Sequence, residues 1–136
     1  MTCETAQIRS YRDLIAWQKA ILLVKDVYAS TAGFPKSEIY GLTSQLRRAS
    51  ISIPSNIAEG HGRATSGEFI QFLCQARGSL CEVETQIVLA GELSYFSREK
   101  QQALLADTDL LGRLLNGLIN SIQRKKLHRA KLVPNP

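Results

Sequence analysis

The chain of 136 residues has the length of one domain, and an apolar content of 44% is enough for a sizeable core. Its four prolines and nine glycines are too few for a loop-rich β-sandwich or a disordered chain, and no apolar stretch approaches the ~20 residues that cross a bilayer. The net charge of +5 is uneven: residues 1–109 hold 11 Lys and Arg against 12 acids, a balance of −1, and residues 110–136 hold six bases and no acid. The first residues also lack the apolar block of a secretory signal, so we expect a cytoplasmic protein that does not enter a membrane.

The first of four predicted helices spans residues 11–31. Ser10 and Asp13 form a capping-box pattern at its start, and Gly33 and Pro35 end it. Apolar residues recur along it at spacings of three and four, which predicts one face towards the core. That face consists of Leu14, Trp17, Ile21, Val24 and Tyr28.

The second predicted helix spans residues 37–60, beginning at Ser37 and ending at the glycine pair Gly60 and Gly62. Its predicted core face consists of Ile39, Leu42, Leu46, Ala49 and Ile53. Pro54 cannot donate a hydrogen bond to the carbonyl of Ser50, so we expect a kink or a local break there.

Polar residues share another face of the second helix, because they also recur at spacings of three and four. They are Gln45, Arg48, Ser52, Asn56, Glu59 and Arg63. Such a stripe is usually the solvated side of a helix, but we predict a structural hydrogen-bond network made by Gln45, Ser52, Asn56 and Glu59. Asn56 and Glu59 could satisfy backbone groups freed by Pro54, or bond to Arg47, Arg48 or Arg77 on neighbouring helices or subunits.

The third predicted helix spans residues 66–93 and opens with a capping box at Thr65 and Glu68. Its main apolar stripe is Phe69, Leu73, Ala76, Leu80, Val83, Ile87 and Ala90. A second set lies about a quarter-turn away and consists of Ile70, Cys74, Cys81 and Val88. One stripe is enough to face a bundle core, so the helix is either centrally buried or contacts a partner through its second set.

The fourth predicted helix spans residues 97–130, with apolar positions at Leu104, Leu111, Leu115, Leu118 and Ile122. It continues into a basic segment, residues 124–131, whose bases are Arg124, Lys125, Lys126, Arg129 and Lys131. A cluster of this kind is typical of polyanion binding, and equally of a solvated helix end, where positive charge complements the helix dipole. Loops of about three to six residues would join the helices, which predicts an all-α, up-down-up-down antiparallel four-helix bundle as a single domain over residues 1–136.

No pattern in the sequence predicts catalysis, a metal or a cofactor. His61 lies in a glycine turn and His128 in the basic segment, and neither has a second metal ligand nearby. Glu82 and Glu84 diverge by about 200° on a helix and cannot share a substrate. The three cysteines are an odd number, so we expect free, reduced thiols and no disulfide framework. We therefore predict that the protein is not an enzyme.

Several strings of residues are specific enough to compare with known families. They are DLIAWQKA at 13–20, QLRRA at 45–49, SIPSNIAEG at 52–60, ARGSL at 76–80 and EVETQ at 82–86. The chain resembles, over residues 11–122, the bacterial proteins encoded by intervening sequences within 23S ribosomal RNA genes. The same superfamily includes the accessory variability determinants of diversity-generating retroelements. The resemblance implies a four-helix bundle assembled as a ring-like homopentamer.

The resemblance carries different functional implications for the two branches. In the retroelement branch, a basic surface contacts nucleic acid and the reverse transcriptase; in the intervening-sequence branch, towards which the strings around Trp17 and Ser52 lean, the function is not established. The chain departs from a uniformly basic retroelement protein because residues 1–109 are near neutral. The basic segment is therefore the candidate contact.

We expect a non-enzymatic homo-oligomer that binds RNA, DNA or a ribonucleoprotein electrostatically. The basic segment would contact phosphates, with Arg47, Arg48 and Arg63 as a weaker second set. No aromatic residue lies in the basic segment, so base stacking is not expected there. The alternative is a protein–protein adaptor or structural scaffold whose basic segment is merely solvated.

Overall fold

In a computed structural model of the chain, residues 8–132 are described, and they form four α-helices and no β-strand. The helices are α1 (Ile15–Thr31), α2 (Leu42–His61), α3 (Ser66–Glu92) and α4 (Arg98–Leu132). Short 3-10 turns at Tyr11–Asp13 and Lys36–Glu38 precede α1 and α2. The predicted all-α class is confirmed.

The first two helices begin later than predicted because the residues expected to cap each helix belong to a 3-10 turn that precedes it. The hydroxyl of Ser10 accepts the N–H of Arg12 at 3.0 Å, and the carboxylate of Asp13 accepts the N–H of Ser10 at 3.1 Å. The predicted capping box is thus present, but it caps the turn Tyr11–Asp13, and Leu14 in an extended conformation separates this turn from α1. Ser37 likewise lies in the second turn, and α2 begins after Gly41.

The buried face of α1 differs from the predicted stripe. The side chains of α1 that enter the core are Ala16, Ala20, Leu23, Val27 and Thr31. Of the predicted core residues, Leu14 is buried, Trp17, Ile21 and Val24 are only partly buried, and Tyr28 is 40% exposed. The prediction was wrong because α1 has two apolar faces, and the one with small alanines packs closest to its neighbours.

The other three helices bury most of their predicted core positions. Residues Leu73 to Ala90 of the main α3 stripe are all buried, as are four of the five predicted α2 positions. Ile39 is instead 58% exposed, because it follows the second 3-10 turn and precedes α2. Phe69 on α3 and two of the predicted positions on α4, Leu118 and Ile122, are half-buried.

Neither Pro54 nor Gly60 interrupts α2. Pro54 is buried inside a helix that is continuous from Leu42 to His61, so the expected local break does not occur. Of the two glycines predicted to end this helix, Gly62 follows its last residue, whereas Gly60 lies in the last turn and packs against α3, where an added Cβ would be 2.6 Å from the Cβ of Phe72. The helix ends one residue later, where the N–H of Gly62 bonds to the carbonyls of Ala58 and Glu59.

The helices surround one apolar core, in which α1 packs against α2 and α4, and α3 packs against the same two helices. Close contacts between α2 and α3 include Ser52 with Ser79, and those between α3 and α4 include Arg77 with Asn116. Near Gly67 at the start of α3 lies Lys126 of α4. The basic segment is therefore next to the start of α3. Along residues 8–132, no helix combines the length and the apolar character that crossing a bilayer requires.

Candidate nucleic-acid interface

The basic segment forms the last turns of α4, and every residue from 123 to 131 is exposed. The ion pairs found among residues 8–132 are Arg63 with Glu59 and Arg113 with Asp109. None of the five bases of the segment is therefore neutralised by a carboxylate of the described chain. Their charges are available to an external anion.

The position of these bases around α4 follows from the helix repeat of 100° per residue. The five bases and His128 occupy an arc of about 220°, and the remaining arc holds Gln123, Leu127 and Ala130. That narrower strip faces α3 and lines, together with Lys126 of the basic segment and with Gly67 and Ile70, a shallow groove of about 520 Å³. Leu127 remains 63% exposed within it. The end of α4 is thus an amphipathic helix with a wide basic face.

The predicted second set of arginines does not join the basic segment as one patch. Arg63 lies just after α2 and pairs with Glu59 at 2.9 Å, with its guanidinium 4.8 Å from the ring centre of Phe72. Arg47 and Arg48 lie 15 or 16 residues earlier, which corresponds to about 23 Å along the helix. Arg63 alone therefore lies at the end of α2 that leads into α3.

Arg47 is committed to contacts between helices. Its Nε donates to the hydroxyl of Thr31 at 2.9 Å, and its guanidinium lies 4.6 Å from the ring centre of Tyr28. Thr31 in turn donates to the carbonyl of Val27 at 2.8 Å. These bonds join α2 to the end of α1, so Arg47 has a structural role in addition to its charge.

The predicted polar network is only partly formed. The hydroxyls of Ser52 and Ser79 share a hydrogen bond of 2.8 Å, and Asn56 Nδ2 donates to the carbonyl and the hydroxyl of Ser52 at 2.8 and 3.0 Å. Glu59 pairs with Arg63 instead, and Gln45 has no side-chain hydrogen bond to residues 8–132. The structure thus joins two of the four predicted residues and adds Ser79.

Two of the contacts considered for that network are not made within residues 8–132. Asn56 does not reach the carbonyl of Ser50, which Pro54 leaves free, because its amide bonds to Ser52 one helical turn before it. Arg77 bonds to Asn116 on α4 at 2.9 Å and to no residue of the network. Ser79 was missed, although a small polar residue beside the apolar stripe of α3 is a signal that could have indicated it.

A polar groove of about 450 Å³ runs between α2 and α3 above this network. Its walls include Gln45, Arg48 and Ser52 from α2 and Ser79, Glu82 and Gln86 from α3, with Tyr40 at one end. The spacing of three and four residues in the sequence indicated that the α2 residues of this groove share one face. No sequence pattern indicated that Glu82 and Gln86 would face them, because the pairing depends on how the two helices are rotated.

An apolar groove of about 360 Å³ lies between α1 and α2. It contains the half-buried side chains that were predicted to face the core: Trp17, Ile21 and Val24. Tyr11 packs edge-on against Trp17 with 5.4 Å between ring centres, and Ile51 of α2 is 41% exposed. This groove is therefore an apolar surface rather than part of the core.

The histidine, carboxylate and cysteine side chains form no cluster of three or more that could hold a metal, as far as residues 8–132 are concerned. His61 stacks edge-on against Phe69, with 5.6 Å between ring centres. Cys74 is half-buried and Cys81 exposed, and both thiols are free. Cys3 lies outside the described residues.

These features define a helical protein with a basic helix end, a polar groove between α2 and α3 and an apolar groove between α1 and α2. Residues 12–117 match the family described as 23S rRNA-intervening sequence protein, and the chain belongs to this family. The resemblance inferred from the sequence strings is thus confirmed. No curated protein matches the chain.

A solved structure supports the fold. It is the crystal structure of a protein with unknown function from the S23 ribosomal protein family of Bacteroides thetaiotaomicron VPI-5482. The two chains are 22% identical and superpose with a TM-score of 0.71, covering 78% of this chain and 96% of the other. At this identity, the similarity shows a shared fold alone.

Proposed function

We propose that the protein is a non-enzymatic homo-oligomer that binds RNA or DNA, free or within a ribonucleoprotein, through its basic segment. The observation that carries the proposal is the end of α4, where five exposed bases lack an ion pair with any residue of 8–132. Their arc of about 220° permits contact with phosphates from several directions. Because such contacts release counterions, the binding would be electrostatic and largely independent of sequence.

The assembled form that we propose is a ring-like homopentamer of up-down-up-down antiparallel bundles. Contacts of late α2 residues with early α3 residues, such as Gly60 with Phe72, support the antiparallel order. The apolar groove between α1 and α2 supports self-association, because a second copy would remove its exposed apolar surface from water. Several basic segments in one ring would then add avidity that one chain lacks.

The test is fluorescence anisotropy of labelled RNA and DNA over a salt series. One variant replaces the five bases of the basic segment by glutamine. The control replaces five other exposed bases and changes the net charge equally: Arg12, Lys19, Lys25, Lys36 and Arg98. With about five phosphate contacts, the affinity should fall by two to three orders of magnitude between roughly 50 and 200 mM salt.

We expect the basic-segment variant to lose binding and the control to retain most of it. Equal losses in the two variants would mean that only net charge matters, and the assignment to the basic segment would be wrong. A mass of one chain by light scattering would reject the homopentamer and its avidity.

A protein–protein adaptor is the second candidate. The observation that favours it is the shallow groove beside the basic segment, in which Leu127 is 63% exposed. An adaptor would tolerate neutralisation of the five bases, whereas a nucleic-acid-binding protein would not. If neither RNA nor DNA binds at low salt, the adaptor becomes the better description.

A further inference from the structure

The polar groove between α2 and α3 has the size and the chemistry of a ligand site. Its volume of about 450 Å³ lies in the range of sites for small molecules. It lies on the α2–α3 side of the bundle and shares no lining residue with the basic segment. Any ligand in it would therefore be recognised independently of the basic segment.

Two hydrogen-bonding groups in this groove lack a full set of partners. The side-chain oxygen Oε1 of Gln86 is buried and accepts no hydrogen bond from residues 8–132. A buried acceptor without a donor is unfavourable, so a ligand N–H that reached this oxygen would be stabilised. Ser52 and Ser79 share one hydrogen bond between two hydroxyls, which leaves one hydroxyl proton for a ligand acceptor.

Two charged side chains of the groove are also free. Neither Arg48 nor Glu82 forms an ion pair within the described part of the chain, although both line the groove. The guanidinium is suited to a phosphate, and the carboxylate is suited to accept hydrogen bonds from ligand hydroxyls. The groove thus offers one site for an anion and one for a hydroxyl or amine donor.

Tyr40 provides the third kind of contact at one end of the groove. It is 94% exposed, which is unusual for a large aromatic side chain and leaves its ring faces free to stack. Nucleobases stack favourably on such rings whatever the base, because every base has a π-face. A free amino acid could use Arg48 and Glu82, but it would leave the ring and much of the volume unused.

We propose that this groove binds one nucleotide of a single-stranded RNA. The base stacks on Tyr40 and donates an N–H to Gln86, the phosphate contacts Arg48, and the ribose 2′-hydroxyl donates to Glu82. The inference rests on the proposed nucleic-acid binding and deepens it, because the contact between Glu82 and the 2′-hydroxyl would select RNA over DNA. The basic segment supplies affinity for either, and the groove supplies the discrimination.

The first test compares an unstructured RNA with the DNA of the same sequence by fluorescence anisotropy. The variants are Tyr40→Ala and Glu82→Gln, and the control is Glu92→Gln, an exposed carboxylate on α3 outside the groove. We expect the native protein to prefer RNA. Tyr40→Ala should weaken RNA binding about fivefold or more. Glu82→Gln should reduce the preference for RNA and leave the affinity for DNA unchanged. Glu92→Gln should retain the native preference for RNA.

The second test separates this proposal from the basic segment. Guanosine and deoxyguanosine monophosphate are titrated into the variant with five glutamines in the basic segment, followed by NMR. Chemical shift changes at the groove residues with the ribonucleotide, and smaller ones with the deoxyribonucleotide, support the groove proposal. They do so even if this variant no longer binds oligonucleotides. The groove proposal is overturned by equal affinity for RNA and DNA, by native binding in both groove variants, or by the absence of nucleotide-induced shifts.

Discussion

The Cβ that Gly60 lacks would lie 2.6 Å from the Cβ of Phe72 and 3.3 Å from the carbonyl oxygen of Phe69. The backbone of α2 therefore approaches α3 more closely here than any side chain permits. Gly78 on α3 has no such neighbour within 4 Å. Gly60 therefore permits a close approach of two helices, whereas a side chain at Gly78 would meet no obstacle.

We predict that Gly60→Ala destabilises the protein by about 1–3 kcal/mol, because the helices must separate to admit a methyl group. Gly78→Ala, the matched control, should be neutral or stabilising by up to about 1 kcal/mol, since alanine favours a helix. Urea unfolding of both variants measures the difference. Equal stability of the two would show that the close approach is not required.

Asp13 makes the stability of the N-terminal turn depend on pH. Its carboxylate accepts the backbone N–H groups of Arg9 and Ser10, and these bonds lower the pKa of Asp13 below its ordinary value of 3.8. A carboxyl with a lowered pKa in the folded state contributes stability above the unfolded value. That contribution is lost as the pH falls below 3.8 and through the folded pKa.

We predict that Asp13→Asn is less stable than the native chain near neutral pH, and that the difference disappears in acid. Thermal unfolding of both proteins over a pH series from about 2.5 to 7 measures it. A difference that is constant over the whole series would contradict a role for the charge of Asp13.

Side-chain hydrogen bonds join three pairs of helices among residues 8–132. A chain of bonds from Asn56 through Ser52 to Ser79 joins α2 to α3, Arg47 joins α2 to α1, and Arg77 joins α3 to α4. The contacts of Ser52 and of Arg47 are half-buried and that of Arg77 with Asn116 is exposed, and each supplements an apolar interface. They favour one rotation of a helix against its neighbour, which an apolar stripe alone specifies less sharply.

We predict that Asn56→Ala lowers the stability by about 1 kcal/mol, because the amide makes two hydrogen bonds in a half-buried position. Gln45→Ala removes a residue of the same stripe that has no side-chain hydrogen bond to residues 8–132, and it should leave the melting temperature unchanged. An unchanged melting temperature for Asn56→Ala would show that this network does not stabilise the fold.

The whole molecule places its unpaired surfaces on different sides. The basic segment lies next to the start of α3, the polar groove between α2 and α3, and the apolar groove between α1 and α2. The apolar groove shares no residue with the other two surfaces, so its role in the proposed assembly can be tested without disturbing them.

We predict that Ile51→Glu lowers the mass measured by light scattering and leaves the helical content unchanged, because a charge in the apolar groove disfavours contact with a second copy. Leu22→Glu is the control, since Leu22 is 50% exposed on α1 outside this groove. A native mass for Ile51→Glu would exclude this groove as the contact between copies.

Local patterns in the sequence determined the all-α class, the family, the positions of α3 and α4, and the capping residues Ser10 and Thr65. They could do so because caps and apolar periodicity act within one or two turns of the chain. Only the tertiary structure decided which face of α1 is buried, where Gly60 packs, and that Ser79 meets Ser52. It also formed the groove around Gln86. These features depend on the rotation and spacing of helices against each other, which packing of the whole core determines.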